Sequence, residues 1–529
     1  MGIHFLNTIT GILFMLLCCF SHLTQAANIL AFFPIPTKSH VLIHGEVAHT
    51  LAEAGHRVTV LATIPNPLKN TKYNYIYIDI PALYDENMAS SMVNDGESAY
   101  KGFLKIIGNS WKTTNETLNH PTMKRFLDTH KAGDFDLMIF GYFVNEFGLG
   151  LVNHFRCPIV ISFMVRSVYA LDRMVGNPLE MSYVPTLFSA IQQPMDFKQR
   201  VVNFLANVFE LNLLRPWFDA KIQEFYDYNF PADRYPPLEE VYKNVSLILT
   251  NHHFSQGPIR PNVPALIEIG GIQIKEQPDP LPAELAKILD NAKEGVIYFS
   301  FGSNVQGSHL SKEKAKIMFD VLSKLPHTVL MKWGDSHFPG QAPNIIYKSW
   351  LPQDDILAHP NVKLFITHGG QGSVVESQYH GVPMVGIPFF GDQPANMAAV
   401  EKAGFGLALQ YTQLTEVDFR NTILEVLNNP QYRENVQRFS KLYRDRPMTP
   451  RQMVRFWVDY VIRHKGAYHM QSPAVHMTWW QLHSLDVIAF LMAVTFGVFG
   501  LLVGLCRCLC CRGGKKATAK TVNKSKKNK

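Results

Sequence analysis

A glycine-rich turn after an apolar segment carries the residue types best suited to chemistry in this chain. Val362–Thr367 is a short apolar run, and residues 368–373 after it include three glycines. The spacing predicts a strand, a turn and a short helix over Val374–His380, which ends at Gly381. Such a turn directs backbone N–H groups and the positive end of the helix dipole at one place. This arrangement suits a phosphate group.

Polar side chains lie at the joints around this turn. His368 and Ser373 can donate hydrogen bonds to phosphate, and Glu376 lies one helical turn further on, where it can accept from a ribose diol. Asp392 and Gln393 follow the next predicted strand and can reach sugar hydroxyls. Neither rival phosphate-binding pattern is present, because the chain has no GxGxxG after a strand and no GxxxxGK[ST].

Two sets of alternating strands and helices are predicted to position these groups. The N-terminal half opens with strand Asn28–Phe33, helix Val41–Ala54 and strand Arg57–Ala62, and four further strands are predicted at Tyr75–Ile80, Leu137–Phe140, Pro158–Phe163 and Ser246–Thr250. A linker over residues 272–281 follows. Beyond it, helices alternate with six predicted strands, at Val296–Phe301, Thr328–Lys332, Ile345–Lys348, Val362–Thr367, Met384–Ile387 and Leu407–Leu409. This alternation favours a parallel, doubly wound sheet, followed by terminal helices at Pro430–Tyr443 and Pro450–Arg463.

Two apolar segments predict entry into the secretory pathway and a membrane anchor. Ile9–Phe20 is too short to span a bilayer and precedes a small residue, Ala26, which is typical of a cleavable signal; an uncleaved anchor is the alternative. Val487–Leu505 is long enough to span. Basic residues follow it, so the positive-inside rule predicts a type I protein with a cytosolic tail.

The charge and the cysteine content limit the possible partners and the cellular compartment. The chain of 529 residues has a formal net charge of +7, but the tail after Leu505 carries nine Lys or Arg and no acid. The rest has 41 basic and 43 acidic residues, so no nucleic-acid partner is predicted. Of seven cysteines, only Cys157 lies in the predicted lumenal body, where Asn115 and Asn244 begin glycosylation sequons.

The segment from Trp350 to Gln393 resembles the signature of the UDP-glycosyltransferases, in particular the membrane-bound animal family that includes the UDP-glucuronosyltransferases. The matching residues are Trp350, Gln353, His368, Gly369, Gly370, Glu376, Pro383, Pro388, Asp392 and Gln393. The resemblance covers the whole chain, and residues 260–261, 270–271 and 445–448 are similar to the insect branch.

The resemblance implies the glycosyltransferase B architecture, which is an α/β fold of two Rossmann-like domains with a cleft between them. The implied divisions are a signal peptide (1–26), an N-terminal acceptor-binding domain (27–275), a C-terminal UDP-sugar-binding domain (276–445), terminal helices with a pre-membrane segment (446–486), a transmembrane helix (487–505) and a basic cytosolic tail (506–529).

The family's donor-site roles carry over to matching residues of this chain. Trp350 is expected to stack on uracil, Gln353 to contact ribose and Ser303 to contact the diphosphate. The expected donor site is completed by His368, Gly370, Gly372, Ser373, Glu376, Asp392 and Gln393. Gly372 departs from the family, which often has a polar side chain such as Asn there, so only its backbone amide can serve.

His40 matches the family's catalytic histidine and is the expected general base, with His44 and His49 as rivals on the same helix. A second departure affects it directly. The family orients this histidine with a carboxylate, and the matching position here is Gly141. Glu146 or Asp136 is the expected substitute.

The leading functional hypothesis is an inverting transferase of the endoplasmic-reticulum membrane. It moves glucose, with glucuronate as the alternative, from a UDP-sugar to a small lipophilic hydroxyl compound, for detoxification or for hormone or pigment conjugation. No metal or other cofactor is expected, since Asp134 and Asp136 are interpreted as a turn and a strand start. Lys526 and Lys527 match a dilysine retrieval signal. A glycine pair at 500 and 504 leaves self-association of the span open. The alternative hypothesis, motivated by Gly141, is a weak or inactive member that binds a lipophilic ligand or UDP-sugar.

Overall fold

The computed structural model of the protein describes residues 26–80, 93, 99–186, 189–303, 305–335 and 338–514. The core of the predicted signal peptide, Asn304 and the dilysine sequence lie outside the described residues. The chain divides between Gln471 and Ser472 into two compact units.

The first half of the larger unit is built on a parallel sheet of seven strands in the order β3-β2-β1-β4-β5-β6-β7. The strands are β1 Asn28–Phe33, β2 Arg57–Ala62, β3 Asn74–Tyr77, β4 Leu137–Gly141, β5 Ile159–Phe163, β6 Val245–Thr250 and β7 Leu266–Glu268. All six predicted strands are present with small shifts at their ends. The short strand β7 was not predicted, because three residues give no periodicity to detect.

The second half is a parallel sheet of six strands in the order β10-β9-β8-β11-β12-β13. The strands are β8 Val296–Ser300, β9 Thr328–Lys332, β10 Ile345–Lys348, β11 Val362–Thr367, β12 Met384–Gly386 and β13 Gly406–Ala408. The predicted bounds of β9, β10 and β11 are confirmed. The predicted doubly wound α/β architecture is therefore present in both halves.

Helices connect the strands and cover the sheets. The principal ones are α1 Lys38–Glu53, α2 Ala99–Asn119, α3 Pro121–Thr129, α4 Val152–Phe155, α5 Tyr169–Val175, α6 Phe197–Phe209, α7 Arg215–Asn229, α8 Leu238–Lys243, α9 Ala283–Asp290, α10 Lys312–Leu322, α11 Gln353–Leu357, α12 Gln371–His380, α13 Gln393–Lys402, α14 Glu416–Asn428, α15 Pro430–Arg444 and α16 Pro450–His464. A π-helical turn over Glu210–Leu214 joins α6 to α7.

Helix α16 follows the second half in sequence but packs on the first. Its residues Val454, Val458 and Val461 are fully buried in the hydrophobic core of the N-terminal half. Arg451 Nη2 lies 2.7 Å from Glu46 Oε2 on α1, and this ion pair is only slightly exposed. The chain therefore crosses between the two halves twice, once on each side of the second sheet.

The smaller unit contains helices α17 Trp479–Leu482 and α18 Leu485–Gly514. Within α18, Leu485–Cys510 is long and apolar enough to cross a membrane, with a mean hydropathy of 2.5. The predicted span Val487–Leu505 lies inside this segment. The helix continues past the predicted span to Gly514.

Candidate active site

The two halves of the larger unit share one cleft of about 1920 Å³, lined by residues that follow the carboxyl ends of both sheets. Ligands of open α/β sheets bind at this edge, because the loops there carry the variable polar groups. The lining includes His40 from the first half. From the second half it includes all the predicted donor-site residues, Ser303, Trp350, Gln353, His368, Gly370, Gly372, Ser373, Glu376, Asp392 and Gln393.

The glycine-rich turn is shorter than predicted, because helix α12 begins at Gln371, with Gly370 as its N-cap. The prediction that the helix starts at Val374 is therefore wrong by three residues. Gly372 and Ser373 lie in its first turn, where backbone N–H groups have no partner within the helix. These amides and the helix dipole lie at the cleft wall, an arrangement that suits a phosphate group.

His368 lies directly before this helix and packs closely against backbone. Gly302 has φ +78°, and a Cβ added to it would lie 2.8 Å from His368 Cε1, so glycine is required there. Burial, followed by the neighbouring ammonium of Lys332, lowers the pKa of His368 to about 4. The imidazole is therefore neutral at pH 7, and it can donate one hydrogen bond to a departing phosphate.

Lys332 is a cleft residue that the sequence analysis did not identify. It ends strand β9, lines the cleft, and its Nζ donates to the carbonyl of Gly302 at 2.9 Å. Burial lowers its pKa, and Lys38 across the cleft lowers it further. A lysine at the end of a strand gives no distinctive signal in a single sequence.

Gln353, Ser373 and Glu376 form one hydrogen-bonded cluster at the first turn of α12. Gln353 Nε2 donates to Glu376 Oε2 at 2.6 Å and to Ser373 Oγ at 3.1 Å. Burial, and then the nearby carboxylate of Asp354, raises the pKa of Glu376 to about 8. The structure thus brings Gln353 and Glu376, which are expected to contact ribose, together with Ser373, which is expected to contact phosphate.

Asp392 and Gln393 open helix α13 beside the same turn. Gln393 Oε1 accepts from the backbone N–H of Phe389 at 2.8 Å, which fixes the loop before the helix. Asn396 Nδ2 donates to Asp392 Oδ2 at 2.7 Å and to the carbonyl of Gly369 at 3.0 Å. Asn396, which the sequence analysis missed, therefore ties the expected sugar-binding aspartate to the phosphate-binding turn.

Trp350 is the most accessible of the expected donor residues, at 56 % exposed. The ammonium of Lys69, from the N-terminal half, lies 5.4 Å from the centre of its ring. This cation–π contact joins the two sides of the cleft at the place where uracil is expected to stack.

His40 lies in the first turn of α1, since that helix starts at Lys38, three residues before the predicted start at Val41. Its ring centroid is 4.9 Å from that of Phe143. Among the described residues, Nδ1 of His40 is buried and has no hydrogen-bond partner. Burial lowers its pKa to about 4, so this imidazole is neutral and able to accept a proton at pH 7.

The rival histidines of α1 are held by other groups. His44 is fully buried, and its Nδ1 lies 2.8 Å from Ser162 Oγ. His49 Nε2 lies 3.5 Å from Glu53 Oε1, one helical turn further on.

The two expected substitutes for the missing carboxylate are engaged elsewhere, which corrects that prediction. Glu146 is fully buried, and its carboxylate pairs with Arg215. Asp136 accepts from the backbone N–H of Asn28 at 2.8 Å, at the start of β1 rather than its carboxyl end. Gly141 itself faces a filled space, because a Cβ built on it would lie 2.9 Å from Phe33 Cδ1. The family's carboxylate therefore has no equivalent in hydrogen-bond contact with His40 in the described chain.

The remaining predicted positions lie away from the cleft. Asn244 is exposed in the turn before β6, a placement that suits glycosylation. Asn115 lies within α2, and its Oδ1 accepts from Asn229 Nδ2 at 2.9 Å, a less accessible setting. Asp134 accepts from the backbone N–H of Lys131 at 2.7 Å, as expected for a turn residue.

Two Rossmann-like halves face one cleft, with the N-terminus of helix α12 on one side and a histidine on the other. This arrangement defines a glycosyltransferase of the B architecture. Solved structures agree with this fold. Spinosyn forosaminyltransferase SpnP aligns with a TM-score of 0.55 and 16% identity over 83% of this chain and 100% of its own. The kitacinnamycin glycotransferase aligns with a TM-score of 0.53 and 16% identity over 83% and 99%.

The chain belongs to the UDP-glucoronosyl and UDP-glucosyl transferase family, whose model matches residues 11–521. UDP-glycosyltransferase UGT5 of Dactylopius coccus is 35% identical over 97% of this chain and 99% of its own. Human UDP-glucuronosyltransferase 1A6 is 33% identical over 92% and 93%. The predicted family, architecture and enzyme class are confirmed.

Proposed function

We propose that this enzyme transfers a sugar, glucose rather than glucuronate, from a UDP-sugar to a hydroxyl group of a small lipophilic acceptor. One observation carries the proposal: the predicted base and the predicted donor residues, which come from different halves of the chain, line one cleft. Relatives named as glucosyl and as glucuronosyl transferases match at similar identity. The similarity to insect proteins favours glucose, in keeping with a role in conjugating xenobiotics, hormones or pigments.

The proposed reaction is a single displacement with inversion at the anomeric carbon. The acceptor oxygen forms a bond to that carbon while the carbon–oxygen bond to UDP breaks, and UDP leaves with the electron pair. Nε2 of His40 takes the acceptor proton. The N-terminus of α12, His368 and Lys332 stabilise the negative charge that grows on the diphosphate. No metal or other cofactor is part of this proposal.

The N-terminal half is proposed to bind the acceptor and the second half the donor. The apolar segment of α18 is proposed to anchor the enzyme in the endoplasmic-reticulum membrane, with the cleft in the lumen and the dilysine sequence in the cytosol. In this topology Asn244 is available for glycosylation. The spans of two copies can associate through glycines 500 and 504.

A transfer assay in microsomes tests the proposal. UDP-glucose and UDP-glucuronate are offered separately with a panel of phenols and steroids, and His40→Ala is assayed beside the wild type. Product from UDP-glucose that is lost in His40→Ala is the expected result. Product of equal yield in the variant contradicts the assignment of the base, and product from UDP-glucuronate alone contradicts the assignment of the donor.

A second candidate function is a binding protein with little or no turnover. It is favoured by Gly141 and by the ion pair that engages Glu146, because His40 then has no carboxylate to fix its tautomer. UDP-sugar binding without product from either donor, in correctly inserted protein, supports this candidate.

A further inference from the structure

An unusual charge arrangement lies in the N-terminal wall of the cleft. Arg166 follows strand β5, and Glu210 begins the π-helical turn between α6 and α7. Both side chains line the cleft. Turns of this kind widen a helix locally and are frequent at functional sites.

Other arginines of the N-terminal half each have a carboxylate partner. Arg260 Nη2 lies 2.6 Å from Asp172 Oδ2, and Arg173 Nη2 lies 2.8 Å from Asp219 Oδ1. Arg215 pairs with Glu146, and also with Asp219 at 2.6 Å. These charges are compensated within the fold, as buried charges must be.

Arg166 and Glu210, in contrast to these arginines, have no oppositely charged partner in contact among the described residues. Arg166 donates to the backbone carbonyl of Pro185 at 2.9 Å, a neutral group. Within the described residues, neither Arg166 nor Glu210 forms an ion pair, although each influences the titration of the other. Both charged side chains thus line the cleft without an ion-pair partner among the described residues.

Burial makes this arrangement costly for the free enzyme. It lowers the pKa of Arg166 to about 10, an effect that Arg260 increases. It also raises the pKa of Glu210, against the opposing influence of Arg215 and Arg166. Arg166 is still a cation at pH 7, and a ligand carboxylate would provide the two-point contact that a guanidinium favours.

The same wall of the cleft also carries apolar side chains. The cleft wall near these residues in sequence includes Met164, Leu179, Val184 and Leu214. A ligand that fills this part of the cleft therefore needs an apolar body with a small number of polar groups.

We infer that Arg166 and Glu210 form an acceptor subsite for hydroxylated aromatic carboxylic acids. The carboxylate of the acceptor pairs with Arg166, and the hydroxyl group that is glycosylated reaches His40. Where the acceptor carries a further hydroxyl group, that group donates to Glu210. The carboxylate is recognised and is not itself glycosylated. This inference rests on the proposed function, since it specifies the acceptor of the same site.

Matched acids and esters test the subsite in the full-length enzyme. The probes are 4-hydroxyphenylacetic acid, 3-(4-hydroxyphenyl)propionic acid and 4-(4-hydroxyphenyl)butyric acid, each compared with its methyl ester. For at least one chain length, wild type is expected to show a KM for the acid about tenfold or more below that for the ester. Arg166→Met should remove the difference, and Arg166→Lys should keep part of it.

Two further variants separate charge recognition from loss of folding. Arg200→Met removes an exposed guanidinium from α6 and should change nothing. Glu210→Gln should leave the KM of the acid unchanged or lower it, because a negative neighbour is lost. The inference is overturned if Arg166→Met affects acid and ester equally, or if it changes only the choice between UDP-glucose and UDP-glucuronate.

Binding to His40→Ala, measured by calorimetry with the same acids and esters, distinguishes this inference from the proposed function. Acid-selective binding without any transfer by the wild type would keep the subsite and overturn the proposed function. Transfer to esters and neutral phenols with no preference for acids would overturn the subsite and keep the proposed function.

Discussion

Replacing Gly141 by alanine tests whether core packing around this position excludes a side chain, and therefore excludes the carboxylate that the family has there. A Cβ at this position would lie 2.9 Å from Phe33 Cδ1, 3.2 Å from His44 Cδ2 and 3.4 Å from Ile35 Cδ1. All three neighbours are fully buried, so none can move into solvent. Inserting one methyl group into such a space typically costs about 1–3 kcal/mol. At about 2–4 °C for each kcal/mol, Gly141→Ala should lower the melting temperature by about 2–12 °C.

Gly372→Ala is the matched control, because a Cβ there meets no atom within 4 Å and the residue lies in the first turn of α12. Alanine is favoured over glycine in a helix by about 0.5–1 kcal/mol, so this control should melt at the same temperature or higher. Melting in detergent micelles, followed by fluorescence, compares the two variants with wild type.

Gly141→Asp extends the test to catalysis. It adds a desolvated carboxylate to the same filled space, so it should be less stable than Gly141→Ala and should not gain activity. A Gly141→Asp enzyme with wild-type melting temperature and a higher kcat/KM would refute the reasoning, since it would show that the carboxylate fits and is simply missing.

Three further outcomes are expected. Because the pKa of His40 is lowered to about 4, kcat/KM for a phenol should be flat from pH 6 to 8 and fall only as the pH approaches 4; an acid limb near pH 6.5 would contradict this. Because the pKa of Glu376 is raised to about 8, its carboxylate form grows as pH rises, and the donor KM of wild type should fall between pH 7 and 9. Glu376→Gln should raise the donor KM by about tenfold at pH 9 and remove this trend, whereas parallel profiles would contradict the ribose contact. Gly372→Asn, placed in open space, should lower the donor KM by about three- to tenfold through one added hydrogen bond, and an unchanged KM would show that its side chain does not reach the diphosphate.

The fold and the donor side of the cleft were largely accessible from the sequence. Strands β9, β10 and β11 are short, largely apolar runs bounded by turns, so they have their predicted bounds. Most donor residues lie between Trp350 and Gln393, where local spacing fixes which groups share one edge. The roles assigned to them remain predictions.

The acceptor side was much less accessible, because its residues come together only through tertiary packing. His40 of α1 packs against Phe143, which follows β4 far along the chain. Glu146 likewise pairs with Arg215 from a distant helix, so local sequence gave no signal for that ion pair. The contact between Arg166 and Pro185 likewise depends on how distant segments pack. The return of α16 to the first sheet was also not predicted, since its amphipathic pattern shows only that one face is buried.

Helix α16 has a consequence for how this protein is made. The ribosome releases the N-terminal half first, yet Val454, Val458 and Val461 belong to that half's core. The nascent first sheet must therefore wait, with part of its apolar surface uncovered, until the whole second sheet has been synthesised. The core of the N-terminal half is therefore completed late, when α16 packs onto it after the second sheet has been made. A nascent chain stopped after Arg444 should accordingly remain bound to chaperones, although its sequence contains every predicted donor-site residue as well as His40.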